Sequence, residues 1–235
     1  MMSGLRFRFE LRPVAAVRPW GDEAPRWGWF ILTDGWYWIE VGGHELLRYA
    51  EAEAEASAEA GADGGGAAVP YVDYYVVRLW EDLVDALPRL LEPVPPDLFE
   101  LAAGGGTGSA EATSWAEGHT LDMGHLRDAP DLRFRRTVTA DADTMTITWT
   151  HSTDEDSIAF TAPPTGRVTI PTEDFVAAVT AFDRDLFTAM ESRVTTLEAS
   201  GPPEGITLDL PALRHEQQDR QTWLPRALAR STETA

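Results

Sequence analysis

The residues best suited by type and spacing to chemistry are His119, Asp122 and His125, within WAEGHTLDMGHLRD. Two imidazoles flanking a carboxylate are the groups that general acid–base catalysis and divalent metals use. A metal would need further ligands, which His44, His151, His215 or one of many carboxylates would have to supply. The spacing matches no recurrent metal motif, so neither a metal nor a cofactor is assigned. Asp183 with Asp185, and the run Asp154-Glu155-Asp156, are acid–base candidates of the weakest kind, because carboxylates on helix surfaces and turns are ordinary. A second constellation is cationic. Arg6, Arg8 and Arg12 project from one face of an alternating segment, and Arg133 and Arg135 from one face of another. Adjacent, these rows would form a receptor for anions or carboxylates; apart, they would pair with acids on neighbouring strands. Trp27 and Trp36 complete the set of candidate binding residues, as the tryptophans nearest the start and the turn of an aromatic hairpin.

Composition removes whole chemistries. All 19 basic residues are arginine, and the chain has no Lys, Asn or Cys. Without Lys there is no Walker-type phosphate clamp, Schiff base or pyridoxal anchor; without Cys, no thiolate nucleophile, disulfide or thiolate metal site. Neither GADGGGAA nor AAGGGTGSA fits a dinucleotide-binding glycine pattern, and there is no G-x-S-x-G nucleophile elbow. A net charge of −20 repels nucleic acids and anionic membranes and attracts a basic partner. No apolar run approaches a membrane span, and the N-terminus lacks the apolar core of a signal peptide, so a cytoplasmic location is expected.

The elements that must position these residues are legible in outline. Leu5, Phe7, Phe9 and Leu11 alternate with charged residues, which predicts a strand with one buried face. In WGWFILTDGWYWIEV, Asp34-Gly35 suits a two-residue type I′ turn and predicts a tryptophan-rich hairpin from Trp27 to Val41, apolar on both faces. Pro70 opens a predicted helix, PYVDYYVVRLWEDLVDALPRLLE, with a wide apolar face and a kink or end at Pro88. A short helix, PDLFELAA, follows it. Strand signals at 132–140, 144–152, 157–162 and 167–171 predict an antiparallel meander. Thr172 is the expected N-cap of a helix whose stripe is Phe175, Val179, Phe182, Leu186, Met190, Val194 and Leu197. A last helix is expected over about 209–229, interrupted at Pro225. The fold class is therefore α+β: an antiparallel sheet of N-terminal strand, tryptophan-rich hairpin and C-terminal meander, with three main helices packed on it. One domain over 1–235 is expected, with low-complexity insertions at about 51–68 and 102–113 and a possible subdomain division near 104–115.

RFRFELRPV, LTDGWYWIEVGGHELLRY, PYVDYYVVRLWEDL, LEPVPPDL, FTAPPTGRVTIPTEDFVAAV and LDLPALRHEQQDRQTWL together resemble an uncharacterised family of single-domain actinobacterial proteins over nearly the full length. The resemblance implies architecture and assigns no activity or catalytic residue. Two functional readings follow. The preferred one is a non-catalytic interaction module, an immunity-type or regulatory binder of a basic protein, resting on the charge, the aromatic hairpin and the missing nucleophiles. The alternative is a small-molecule enzyme or metal-dependent hydrolase using His119, Asp122 and His125. Oligomeric state is open.

Overall fold

The computed structural model describes residues 4–50, 69–95, 98, 118–154 and 156–233. The tracts expected as insertions, the division near 104–115, Trp115, Glu155 and, Leu98 excepted, the PDLFELAA segment lie outside the described residues. The described chain is α+β, with two antiparallel sheets of four strands each. In the first, β1 (Arg6–Leu11) runs along one edge of β3 (Asp34–Val41), while β4 (His44–Leu46) and β5 (Val72–Tyr75) share the other edge. In the second, β6 (Thr120–Leu121), β7 (Asp131–Val138), β8 (Asp143–Thr150) and β9 (Thr165–Pro171) follow in chain order. A short parallel pair joins β2 (Arg26–Trp27) to β10 (Thr207–Leu208). The helices are α1 (Val76–Leu90), α2 (Thr172–Ser200), α3 (Leu210–Arg220) and α4 (Trp223–Glu233).

The hairpin expected over Trp27–Val41 does not form: only its second half is a strand of this sheet, β3, and the hairpin that β3 makes is with the following β4. It is closed by Gly42-Gly43 at φ of 59° and 84°, the paired positive values of a type I′ turn. Asp34-Gly35 is no turn. Ile31, Leu32 and Thr33 make a buried 3₁₀ turn instead, so three consecutive side chains enter the core, which strand alternation would not allow. Gly35 is the second residue of β3, and its lack of a side chain serves a neighbour: an added Cβ would meet the Glu10 carbonyl oxygen at 2.3 Å and Leu11 Cα at 2.9 Å. Gly35→Ala is expected to push β1 off β3 and to destabilise the protein by about 1–3 kcal/mol in urea denaturation; a loss within experimental error would contradict this account.

Three further differences have local causes. Val72, Tyr74 and Tyr75, β-branched or aromatic, add to β3 with Asp73 as a strand, and the helix starts at Val76, where the Thr33 hydroxyl accepts the Val77 N–H at 3.3 Å. That helix continues through Pro88 to Leu90. Of the 157–162 strand signal only a bridge between Tyr49 and Phe160 is made, so the meander has three long strands. Thr172 is the first helical residue rather than the cap, its hydroxyl donating to Asp143 Oδ1 at 2.5 Å, and the last helix is split into α3 and α4 before Pro225.

One continuous cluster of buried side chains joins the elements. All seven residues of the predicted α2 stripe are buried, and the Phe182 ring lies 5.8 Å from both Phe7 and Phe9 on the inner face of β1. Phe187 packs against Trp29 and Trp80, and Phe175 against Phe134 of β7. The two sheets meet where Gly42 seats Val168; a Cβ there would fall 2.4 Å from Val168 Cγ2. The outer face of the first sheet carries Arg6 and Arg8, and that of the second Arg133, Arg135 and Arg167.

Candidate functional site

The segment 119–125 folds so that its three candidate residues part. His119 precedes β6 and is buried, its carbonyl accepting the Phe134 N–H. Leu121 and Met123 are buried and anchor the loop that follows. Asp122 is exposed between them, and its Oδ1 accepts the Gly124 N–H at 2.8 Å, a local Asx turn. His125 turns inward. Its Nε2 lies 2.8 Å from the Tyr37 hydroxyl and its Nδ1 3.5 Å from Asp82 Oδ2. Tyr37 arrives by strand alternation on the inner face of β3, and Asp82 by helix periodicity one turn after Arg78, which it pairs with at 3.0 Å. The Tyr74 ring sits 4.8 Å from the imidazole.

Burial sets the charge states. Desolvation raises the Asp82 carboxyl to about 7, against the pull of Arg78 and with help from Asp122, Glu81 and Asp85. Desolvation and then Arg78 lower His125 to about 4, Asp122 opposing. Burial, followed by the Asp82 charge, raises the Tyr37 phenol. At neutral pH the imidazole is therefore uncharged. The Tyr37 hydroxyl and Nε2 share one hydrogen bond; in the tautomer where the hydroxyl donates, the ring proton sits on Nδ1, facing Asp82. Asp82 Oδ2 and His125 Nδ1 have no hydrogen bond in this arrangement, at 3.5 Å. The Asp82 and His125 side chains are 9% exposed and Tyr37 is fully buried, so the three groups form a cluster largely withdrawn from solvent.

The remaining histidines sit elsewhere: His44 beside the Trp149 ring, His151 stacked on Phe160, His215 exposed on α3. Among the described residues, no three His, Asp or Glu side chains are grouped to hold a metal ion. What the loop leaves open is a cleft of about 500 Å³, lined by residues 120–124 and 126–131, with Asp122, Asp128, Asp131 and one cation, Arg127, in its wall and Leu126 and Met123 among its apolar contacts. His125 is the residue this lining skips. Asp128 Oδ2 accepts the Ile158 N–H at 2.8 Å, and Asp131 binds the Arg133 guanidinium.

The arginine rows lie on different sheets and do not form one receptor. Arg6 and Arg8 both reach Glu40, at 3.7 and 3.2 Å, and Arg12 bridges Asp34 and Asp73 at 3.0 and 2.6 Å above the Trp36 ring. Trp36 is half-buried on that outer face, and Trp27 is 4% exposed in the core. Arg135 lies near Arg167 of β9, whose charge, after burial, lowers its pKa. Asp82, Tyr37 and Arg167 were not singled out from the sequence. The spacing of Arg78 and Asp82 was visible there, but on an amphipathic helix such a pair reads as a solvated face.

Fold and site together define an acidic α+β protein of two antiparallel sheets, with an internal Asp–His–Tyr cluster beneath an open carboxylate-lined cleft. The chain belongs to the family of unknown function DUF5984, whose model matches residues 6–235. No curated protein and no solved structure matches it. No described helix is long and apolar enough to cross a membrane.

Proposed function

We propose that the protein is a non-catalytic interaction module, immunity-type or regulatory, that receives a basic side chain of a protein partner in the cleft of residues 120–131. The observation that carries this reading is the division of the 119–131 loop: its imidazole points into the core, where Tyr37 is fully buried, while its carboxylates Asp122 and Asp128 line the open cleft. A catalytic role for His125 would require the opposite. The apolar wall from Leu126 and Met123 suits the methylene stem of Arg or Lys, and the carboxylates suit its head. A net charge of −20 steers a basic partner in at long range and makes the association salt-sensitive.

The test is capture from native lysate by the full chain and by D122N/D128N, an isosteric change that keeps a side-chain oxygen to accept the Gly124 and Ile158 N–H groups. A basic protein retained by the wild type and released by the double variant, with affinity down about tenfold or more, and by raised salt is the expected result. A partner held equally by both, or an acidic one, overturns the reading.

A further inference from the structure

A second cleft, of about 600 Å³, opens beside the turn at which Gly42 seats Val168. Its polar wall comes from four separate segments: Arg6 of β1, Glu40 of β3, His44 and Glu45 of β4, and Thr161 from the stretch before β9, with Ala162 as its buried apolar residue. Strand register sets three of these in one row, Arg6 beside Glu40 and Glu40 beside Glu45. Two carboxylates directly opposite each other on a sheet repel. Arg8 and Arg6 reach Glu40 at 3.2 and 3.7 Å, and Arg48 and the Tyr71 hydroxyl reach Glu45 at 2.6 and 3.2 Å; among the described residues no cation touches both acids. At 3.7 Å the Arg6 guanidinium makes an ion pair with Glu40 but no hydrogen bond, and its side chain is 65% exposed. His44 is half-buried with its ring 5.7 Å from that of Trp149, and Thr161 is exposed; among the described residues neither side chain is hydrogen-bonded.

We propose that this cleft binds a zwitterionic α-amino acid, its ammonium between the Glu40 and Glu45 carboxylates and its carboxylate on the Arg6 guanidinium and the Thr161 hydroxyl. The mixed charge of the wall selects this class. Two carboxylates repel a simple anion, and Arg6 repels a simple cation; a ligand with both charges on neighbouring atoms meets both walls at once. Each glutamate oxygen has lone pairs beyond those its present partners use, and an ammonium offers three N–H donors to reach them. An ammonium shared by Glu40 and Glu45 also relieves the repulsion that their register creates. Arg6 presents a planar fork suited to the two oxygens of a carboxylate. Arg6 and Glu45 stand two inter-strand spacings apart, about 10 Å, a span that two long side chains narrow to the size of one amino-acid backbone. The ligand's side chain then falls toward His44 and Ala162, in a volume within the range of small-molecule pockets. A zwitterion has no net charge, so the −20 of the protein neither draws nor repels it at long range.

This cleft shares no residue with that of 120–131 and does not depend on the function proposed for it. The probe is L-alanine, titrated into the full-length protein at constant ionic strength and pH 7 and followed by backbone amide NMR. Saturable shifts at residues 4–6, 40–45 and 161–162 are expected. N-acetyl-L-alanine, which lacks the ammonium, and L-alanine methyl ester, which lacks the carboxylate, should each bind about tenfold or more weakly than L-alanine itself. These two blocked ligands test the proposal on the unaltered protein. R6Q and E45Q should each weaken L-alanine by a similar factor and R6K only in part, while D122N, in the other cleft, leaves it unchanged. The ester binding as tightly as L-alanine would make the cleft a cation site, and the N-acetyl compound doing so an anion site; either overturns the proposal. So do shifts that fail to saturate, that lie outside these three segments, or that persist at full affinity in R6Q.

Discussion

Arg193→Met is expected to destabilise the protein by about 3–5 kcal/mol, the largest loss from any single change away from the apolar core. Arg193 lies on α2 and is 9% exposed, and its two terminal nitrogens donate to the carbonyls of Leu32 and Arg12. One ends within the 3₁₀ turn and the other just after β1, so a single guanidinium ties the long helix to both segments that enclose β3. Burial lowers its pKa to about 10, with Asp34 opposing, and it stays charged at any pH at which the protein would be studied. Methionine preserves length and apolar packing but leaves two carbonyls without a donor; each unmade bond to a charged group is worth about 1.5–3 kcal/mol. Arg193→Lys, with one compact ammonium, is expected to recover less than half of the loss. Urea denaturation of the three proteins decides the matter. A methionine variant within 1 kcal/mol of wild type would mean that these carbonyls are satisfied by solvent.

Arg193 also shows where sequence reading stops. The α2 stripe was legible because seven apolar residues recur at helical spacing, and all seven are buried. Arg193 sits between Met190 and Val194 and follows no apolar rule; that it is buried depends on two carbonyls from segments more than 150 positions away. In β8, Met145, Ile147 and Trp149 alternate with threonines and enter the core as that spacing implies, although Thr146 between them is buried too. Asp34-Gly35 misled for a physical reason: local turn chemistry and close approach of another strand both select glycine, and only the second acts here. The candidate site was legible in one residue of three. His125 matters through Tyr37 and Asp82, and that convergence depends on how β3, α1 and the 119–131 loop pack. The Arg135 and Arg167 juxtaposition appears only once β7, β8 and β9 are in register.

The buried cluster should announce itself in the pH dependence of stability. Asp82 has a folded-state pKa of about 7 against an ordinary 3.8, so its contribution is fully present below 3.8 and is lost as pH rises through 7. His125 has a folded-state pKa of about 4 against 6.5, so its contribution is fully present above 6.5 and is lost as pH falls through 4. Over the shared window from about 4 to 6.5 the two slopes oppose each other, and the wild type gains little from either. Removing one partner uncovers the other. Asp82→Asn, relative to wild type, should become more stable as pH rises from 4.5 to 6.5, and His125→Gln less stable over the same interval. One proton of difference is worth about 1.4 kcal/mol per pH unit, and residual solvent contact at the cluster brings the expected slopes nearer 0.5–1. Chemical denaturation of the three proteins at several pH values measures them directly. Diverging lines from the two variants would show that the buried carboxyl and imidazole hold opposite preferences inside one fold; parallel lines would mean that solvent reaches the cluster and sets both groups near their ordinary values.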